Sequence, residues 1–203
     1  VEDAVHAHQR PKLERYDKTL FLVLKTVNYV EHESVANARE IVETGEIMIF
    51  VGPDFVVTVR HGEHSGLAGV RKRLDASPAI LRLGPFAVMH AIADHVVDSY
   101  LDVTALIETD IDAMEEDIFS STEQTNIECI YLLKREVVEL RRAIGPLTLA
   151  LQRIGADHDL GLHLADPVPH LSLVVGQPRG RDARRRGLQV RCRHAPSGRR
   201  EPA

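Results

Sequence analysis

The sequence contains no tryptophan, and aromatic residues of all kinds make up only 4% of it. Apolar residues still reach 44%, so a hydrophobic core must be built mainly from aliphatic side chains, which pack readily between helices. Only two cysteines occur, Cys129 and Cys192. Their number and separation exclude a disulfide framework or a zinc module. Because Cys129 lies in a helical apolar pattern, we expect a buried, reduced thiol, as in cytosolic proteins.

Long apolar runs are also absent. No stretch approaches the roughly 20 apolar residues that a membrane-spanning helix needs. The chain begins with Val1, Glu2 and Asp3, which lack the basic and apolar segments of a signal peptide. It also lacks an initiator Met, which indicates that it starts inside a longer protein. We therefore expect a soluble chain that is cytoplasmic when it stands alone.

The familiar catalytic motifs are missing. The sequence has no G-x-S-x-G elbow, no phosphate-binding glycine loop and no H-E-x-x-H motif. His61 and His64 are close together in a predicted loop, but two histidines without further ligands are usually just solvated. We predict that the protein is not an enzyme.

The net charge of −5 combines two segments of opposite sign. Residues 177–203 contain nine arginines and two acidic residues, so the rest of the chain carries about −12. From about Ile154 onward Gly, Pro, His and Arg dominate, and no helical or strand period survives. Three interpretations of this tail stay open: translation out of frame from a GC-rich gene, an unselected disordered segment, or a basic arm for nucleic acid or anionic lipid. The lack of aromatic residues for base stacking disfavours an arm for nucleic acid.

The first part of the chain predicts a small sheet. Residues 20–30 (LFLVLKTVNYV) are rich in aliphatic and β-branched side chains and indicate a strand. Residues 46–51 and 55–59 form two more predicted strands, separated by Gly52, Pro53 and Asp54, which favour a tight turn. Residues 66–74 predict a short helix, and Ser77-Pro78 a break.

Two long helices should follow. Gly84-Pro85 opens the first, since Pro is tolerated in a first helical turn. Its apolar positions recur at steps of three and four for about four heptads, which is the spacing of a coiled coil or bundle: Met89, Ile92, Val96, Tyr100, Val103, Ile107, Ile111, Met114 and Ile118. The second helix is predicted over residues 123–151, with a late kink at Gly145-Pro146. Its predicted apolar side comprises Ile127, Ile130, Val137, Leu140, Ile144 and Leu147.

Carboxylates are the main candidates for chemistry. His90, Asp94 and Asp98 recur every fourth residue and share one face of the first long helix. Six more acidic residues follow: Glu108, Asp110, Asp112, Glu115, Glu116 and Asp117. Such a surface is often simply solvated. However, its charges repel one another unless cations or a basic partner neutralise them, and hard divalent cations such as Mg²⁺ prefer oxygen ligands.

Residues 2–25 (EDAVHAHQRPKLERYDKTLFLVLK) resemble the signature region of the CorA family of magnesium and cobalt transporters. The shared features are the acidic pair Glu2-Asp3, the element from His8 to Lys12, Tyr16 and the aliphatic strand that follows. The resemblance continues in order through the strand hairpin, ADHVVDSYL, DIDAMEEDI and LLKREVVELRRAIGPL, and ends near Leu151.

This resemblance implies an α/β cytosolic domain whose long acidic helical hairpin forms part of a funnel wall in a homopentamer. In the family, divalent ions bind between protomers and hold the pore closed when cytosolic magnesium is plentiful. The family positions that sense the ions match Glu2, Asp3, His8, Asp94 and Asp98. The implied ions are Mg²⁺ and Co²⁺, and the implied location of the full-length protein is the cytoplasmic side of the inner membrane.

The departures from the family pattern lie at both ends. The elements that precede the acidic pair have no counterpart here, nor do the stalk helix, the membrane spans, the Gly-Met-Asn pore motif and a stalk aspartate that completes the site. We therefore expect weak magnesium binding and no transport by this chain alone. The predicted divisions are a partial α/β domain (1–83), the long helical hairpin (84–154) and the basic tail (155–203).

The leading hypothesis is accordingly the ion-sensing part of a CorA-type transporter. Two alternatives are a stand-alone coiled-coil interaction protein and a nucleic-acid-binding protein that uses the Arg-rich tail. The zinc-transporting branch of the same superfamily is disfavoured by the intact His-Gln-Arg-Pro-Lys element at residues 8–12.

Overall fold

The computed structural model describes residues 9–62, 66–120, 127–156, 171–174 and 188–192. The described part combines an antiparallel sheet with helices, which confirms the predicted α/β class. In chain order its elements are β1 (Lys12–Tyr16), β2 (Thr19–Tyr29), a 3₁₀ turn (Val35–Asn37), β3 (Val42–Val51), β4 (Phe55–His61), α1 (Ala68–Asp75), α2 (Pro78–Leu81), α3 (Pro85–Ser120), α4 (Ile127–Ala156), β5 (Leu171–Val174) and β6 (Leu188–Cys192).

The first four strands form a meander in which each strand pairs antiparallel with the next. The sequence analysis did not predict β1. The turn that joins β1 to β2 places Asp17 in the left-handed region, at φ 55°, where Asp is one of the few tolerated residues. Residues 1–8, which include the acidic pair Glu2-Asp3, lie outside the described residues. Gln9 and Arg10 are not helical.

The predicted hairpin of β3 and β4 is confirmed, although β3 begins four residues earlier than predicted because it pairs with β2 along its whole length. The Gly52 N–H donates a hydrogen bond of 2.9 Å to the Phe55 carbonyl oxygen and closes the turn. A side chain at Gly52 would lie 2.2 Å from the Phe55 ring. A larger residue at position 52 would therefore require the Phe55 ring to move.

The central strands are buried on both faces. Leu22, Leu24 and Ile49 join the main core on the face that α3 covers. Phe21 and Met48 form a second buried cluster with Val23 on the opposite face. Double burial explains why β2 is an almost continuous apolar run instead of an alternating one.

The predicted apolar stripe of α3 is confirmed. Met89, Ile92, Val96, Tyr100, Val103 and Ile107 are all buried in the main core. Farther along, Ile111 and Met114 are only partly buried. With 36 residues, α3 is about 54 Å long at 1.5 Å per residue. Its N-terminal two-thirds is thus attached to the sheet.

The predicted apolar side of α4 is wrong in its first half. Ile127, Ile130 and Val137 are 63%, 43% and 40% exposed. The buried side chains, which include the predicted Leu140 and Leu147, recur at steps of four and three: Cys129, Leu133, Glu136, Leu140, Ala143, Leu147 and Ala150. The buried thiol predicted for Cys129 is confirmed, and this cysteine is free.

The helix α4 continues through Pro146 to Ala156. The connection between α3 and α4, residues 121–126, lies outside the described residues, so the hairpin itself stays a prediction. No helix within the described ranges is long and apolar enough to cross a membrane.

Two short strands occur in the segment 155–203, for which the sequence predicts no regular structure. They extend the sheet beyond β4, giving the order β1-β2-β3-β4-β6-β5. β6 pairs antiparallel with β4, from Phe55 opposite Arg191 to Thr58 opposite Leu188. The rest of the segment after Ala156 lies outside the described residues.

Candidate metal-binding face

The face of α3 opposite its buried stripe carries the predicted ligands. His90, Asp94 and Asp98 are all exposed, and successive members are about 6 Å apart along the helix axis. Burial of Ile92 and Val96 fixes the rotation of α3 on the sheet. The two carboxylates therefore point away from the core and are accessible to ions from solvent.

A groove of about 840 Å³ adjoins this face, between α1, α2 and the start of α3. His90 and Asp94 line it together with Arg73. The rest of its wall is mostly apolar and includes Ile80 and Leu83, which are 42% and 61% exposed. Asp94 therefore lies at the boundary between the exposed carboxylate face and the mostly apolar groove.

The remaining predicted ligands, Glu2, Asp3 and His8, lie outside the described residues. Among the residues that are described, no group of three or more His, Cys, Asp or Glu side chains could hold a metal ion. Asp94 and Asp98 alone would supply one or two oxygen ligands, fewer than the six that Mg²⁺ takes. A complete coordination shell needs further oxygens from water or other protein groups.

The acidic cluster farther along α3 consists of two kinds of residue. Five of its members are exposed: Glu108, Asp112, Glu115, Glu116 and Asp117. Asp110 is different, because only 14% of its side chain is exposed. The sequence pattern grouped it with its neighbours, but the structure assigns it to a contact with the sheet.

Asp110 accepts a hydrogen bond from the Tyr29 hydroxyl, which lies 2.9 Å from both carboxylate oxygens. His32 lies on the other side, with Nε2 at 3.4 Å from Asp110 Oδ1. His32 Nδ1 is 2.8 Å from the Val30 carbonyl oxygen. Because a carbonyl oxygen only accepts, Nδ1 carries the proton there. This cluster connects the end of β2 to α3 beyond its fully buried stripe.

Two tyrosines on this side of the sheet, Tyr29 and Tyr100, have raised pKa values. Desolvation, together with the hydrogen bond to Asp110 and its negative charge, raises the pKa of Tyr29 to about 12. Burial raises the pKa of Tyr100 well above its ordinary value. The Tyr100 hydroxyl donates to the Lys25 carbonyl oxygen of β2. Both phenols therefore stay neutral donors at physiological pH.

On α4, a buried carboxylate replaces an apolar residue in the core stripe. Glu136 is 1% exposed, and its Oε2 lies 3.1 Å from the Val42 N–H nitrogen and 3.4 Å from that of Ile41. Its Oε1 accepts from Arg135 Nη2 at 2.9 Å. Glu136 thus satisfies backbone donors at the start of β3 and joins α4 to the sheet.

Comparison with known proteins places these features in a family. The model of the CorA-like Mg²⁺ transporter protein family matches residues 1–174. The metal ion transporter YfjQ of Bacillus subtilis is 37% identical over 159 residues, which are 78% of this chain and 47% of that protein. The cobalt/magnesium transport protein CorA of Thermotoga maritima is 28% identical over 158 residues, 77% of this chain and 43% of that protein.

The architecture is that of an α/β unit with a carboxylate-bearing long helix, and its relatives are metal ion transporters. The chain belongs to the CorA-like Mg²⁺ transporter family. It spans about half the length of the curated relatives that it matches. The family match extends beyond Leu151, where the resemblance seen in the sequence ended.

Proposed function

We propose that this chain is the cytosolic, divalent-cation-sensing part of a CorA-type transporter that carries Mg²⁺, with Co²⁺ as a second substrate, across the inner membrane. Asp94 and Asp98 are the carboxylates that meet the ion, together with Glu2, Asp3 and His8. The observation that carries the proposal is the exposure of Asp94 and Asp98 on one face of a helix whose opposite face is fixed in the core.

Sensing follows from electrostatics. Carboxylates that face each other across two protomers repel and favour separation, whereas a bound cation neutralises them and favours close packing. Mg²⁺ suits this task because it keeps several of its waters and needs only one or two protein carboxylates. Ion binding between protomers would thus bias the assembly toward one arrangement.

A homo-oligomer is the partner that we propose, a pentamer by analogy with the family. Several large apolar side chains on the long helices are open to solvent, among them Leu101 (66%), Tyr131 (65%) and Leu149 (65%). A partner chain that covers these side chains would remove their apolar surface from water. The same observation favours the alternative function, a coiled-coil interaction module that does not respond to metal.

Magnesium titration tests the proposal. We expect millimolar Mg²⁺ to slow proteolysis of α3 and to shift the sedimentation of the chain toward larger species. The variant Asp94→Asn/Asp98→Asn should lose this response. The matched control Asp112→Asn/Glu115→Gln removes two charges from the same helix and should keep it. An equal response of the two variants would assign the effect to general charge screening and contradict the proposed site.

A folded chain that assembles identically with and without Mg²⁺ would support the interaction module instead. The origin of the segment 155–203 is tested separately, by translating the encoding DNA downstream of codon 155 in the other two frames. A frame that encodes a long helix and two apolar spans supports translation out of frame. The absence of such a frame contradicts it.

A further inference from the structure

A second groove, of about 1000 Å³, lies between α4 and the sheet. We call it the basic groove, because five of its lining residues are cationic: Arg10, Lys25, Lys134, Arg135 and Arg142. Glu139 is the one carboxylate among them. This concentration of positive charge is unexpected in a chain whose net charge is −5.

Two of the five cations are already engaged. Lys25 forms an ion pair with Glu46, its direct partner on β3. Arg135 pairs with the buried Glu136 at 2.9 Å. The other three are exposed. Among the described residues, no carboxylate lies within ion-pairing distance of Arg10, Lys134 or Arg142, so the groove keeps a net positive charge after Glu139 is counted.

Lys134, Val138 and Arg142 follow one another at four-residue intervals on the groove side of α4. Successive positions are about 6 Å apart, so Lys134 and Arg142 are about 12 Å apart along the axis. At this separation the charged ends of the two side chains can contact different phosphates of one extended anion. A chain of several phosphates would meet Lys as a point charge at one end and the planar Arg fork at the other.

We propose that the basic groove binds a small anion with a chain of phosphate groups, such as a nucleoside triphosphate or tripolyphosphate. The volume is that of a small-molecule site. Concave surfaces of one charge sign also concentrate field lines and raise the local concentration of oppositely charged ligands. The exposed ring of Tyr131 at one end of the groove offers a surface for the base of a nucleotide.

Calorimetric titration of the full chain tests this, in buffer with EDTA so that no divalent cation takes part. We expect one molecule of tripolyphosphate or of ATP to bind per chain, and adenosine not to bind. Tighter binding of ATP than of tripolyphosphate would indicate a contact with the nucleoside. Equal binding would indicate that the phosphates alone are recognised. Affinity should fall steeply with salt.

The variant Lys134→Ala/Arg142→Ala should weaken binding by at least about tenfold, because it removes two charge-assisted contacts. The control Lys72→Ala/Arg82→Ala removes the same charge from exposed positions near α1 and α2 and should change the affinity less than about twofold. Circular dichroism checks that both variants are folded.

Three results would overturn the proposal: no binding of either phosphate compound, equal loss in both variants, or binding of long single-stranded DNA without binding of tripolyphosphate. Because EDTA removes divalent cations, failure here is independent of the magnesium response of Asp94 and Asp98.

Discussion

The Tyr29 hydroxyl donates to the carboxylate of Asp110, at 2.9 Å from each oxygen. The two residues are 81 positions apart in the chain and join the end of β2 to α3. In this region α3 is no longer fully buried, since Ile111 is only partly covered. The hydrogen bond therefore anchors the part of the helix that carries most of the exposed carboxylates.

Removing either partner should loosen this attachment. We expect Tyr29→Phe and Asp110→Ala each to lower the free energy of unfolding by about 1 to 2 kcal/mol, because a partly buried hydrogen bond to a charged group is lost. Urea denaturation measures the loss. In a double-mutant cycle the two changes should be less than additive. Asp112→Ala, at an exposed position, should cost less than about 0.5 kcal/mol. Additivity would contradict the contact.

Alkaline pH should weaken the fold through Tyr29. Its pKa is raised from 10.0 to about 12 in the folded chain. Between these values the unfolded chain releases the phenolic proton while the folded chain keeps it, so stability falls as the pH rises. Below the lower value the contribution is complete.

Urea denaturation at several pH values between about 9 and 11.5 measures this loss. In Tyr29→Phe the fall with pH should be shallower than in the parent. Tyr131→Phe changes a tyrosine that is 65% exposed and serves as the control. If the free energy of unfolding fell equally with pH in the parent chain and in Tyr29→Phe, Tyr29 would not contribute to this pH dependence.

Strands β2, β3 and β4 and helix α3 were predictable because their sequence patterns are strong. Gly52-Pro53-Asp54 between two β-rich runs leaves few alternatives to a hairpin. The stripe from Met89 to Ile107 contains no charged residue and keeps its period for several turns. Strand β1 was missed because Lys12–Tyr16 contains mostly polar residues and is stabilised by pairing with β2, which local sequence does not reveal.

The rotation of α4 could not be predicted for a physical reason. Its true core stripe contains Glu136, and a charged residue normally marks the solvent side. Cys129, Ala143 and Ala150 are small and contribute little to the apolar pattern of the buried side. Ile127 and Ile130 are large and apolar, so the pattern favours the side that is exposed in the structure. The signal that identifies Glu136 is tertiary: two backbone N–H groups at the start of β3 need an acceptor.

Prediction of the candidate site from sequence was limited in the same way, because contacts between distant residues are not visible in local patterns. Sequence spacing places Asp94 and Asp98 on one exposed face, and the structure agrees. Spacing could not separate Asp110 from its acidic neighbours, because its partners Tyr29 and His32 are distant in sequence. For the same reason, the basic groove could not be predicted: Arg10 and Lys25 join the α4 cations only after folding.

The free energy of unfolding should depend strongly on Glu136. Replacing it with Ala leaves two buried N–H groups without an acceptor and opens a cavity, so we expect a loss of about 3 kcal/mol or more. Glu139→Ala, on the exposed side of the same helix, should cost less than about 0.5 kcal/mol. Glu136→Gln keeps an acceptor oxygen and should lie between them. Urea denaturation of the three variants provides the comparison, and similar losses for Glu136→Ala and Glu139→Ala would refute the anchoring role.

The last prediction concerns the face of α4 that is buried in the structure. Leu133 is 4% exposed and Ile130 is 43% exposed. Leu133→Ala should therefore destabilise the chain by about 2 to 4 kcal/mol through lost burial and an internal cavity. Ile130→Ala should cost less than about 1 kcal/mol, since half of its surface already faces water. Thermal and urea unfolding of dilute samples measure both, because dilution keeps self-association from adding stability. If Ile130→Ala proved the more damaging change, the face first predicted from the sequence would be the buried one, and the position of Glu136 in the core would be wrong with it.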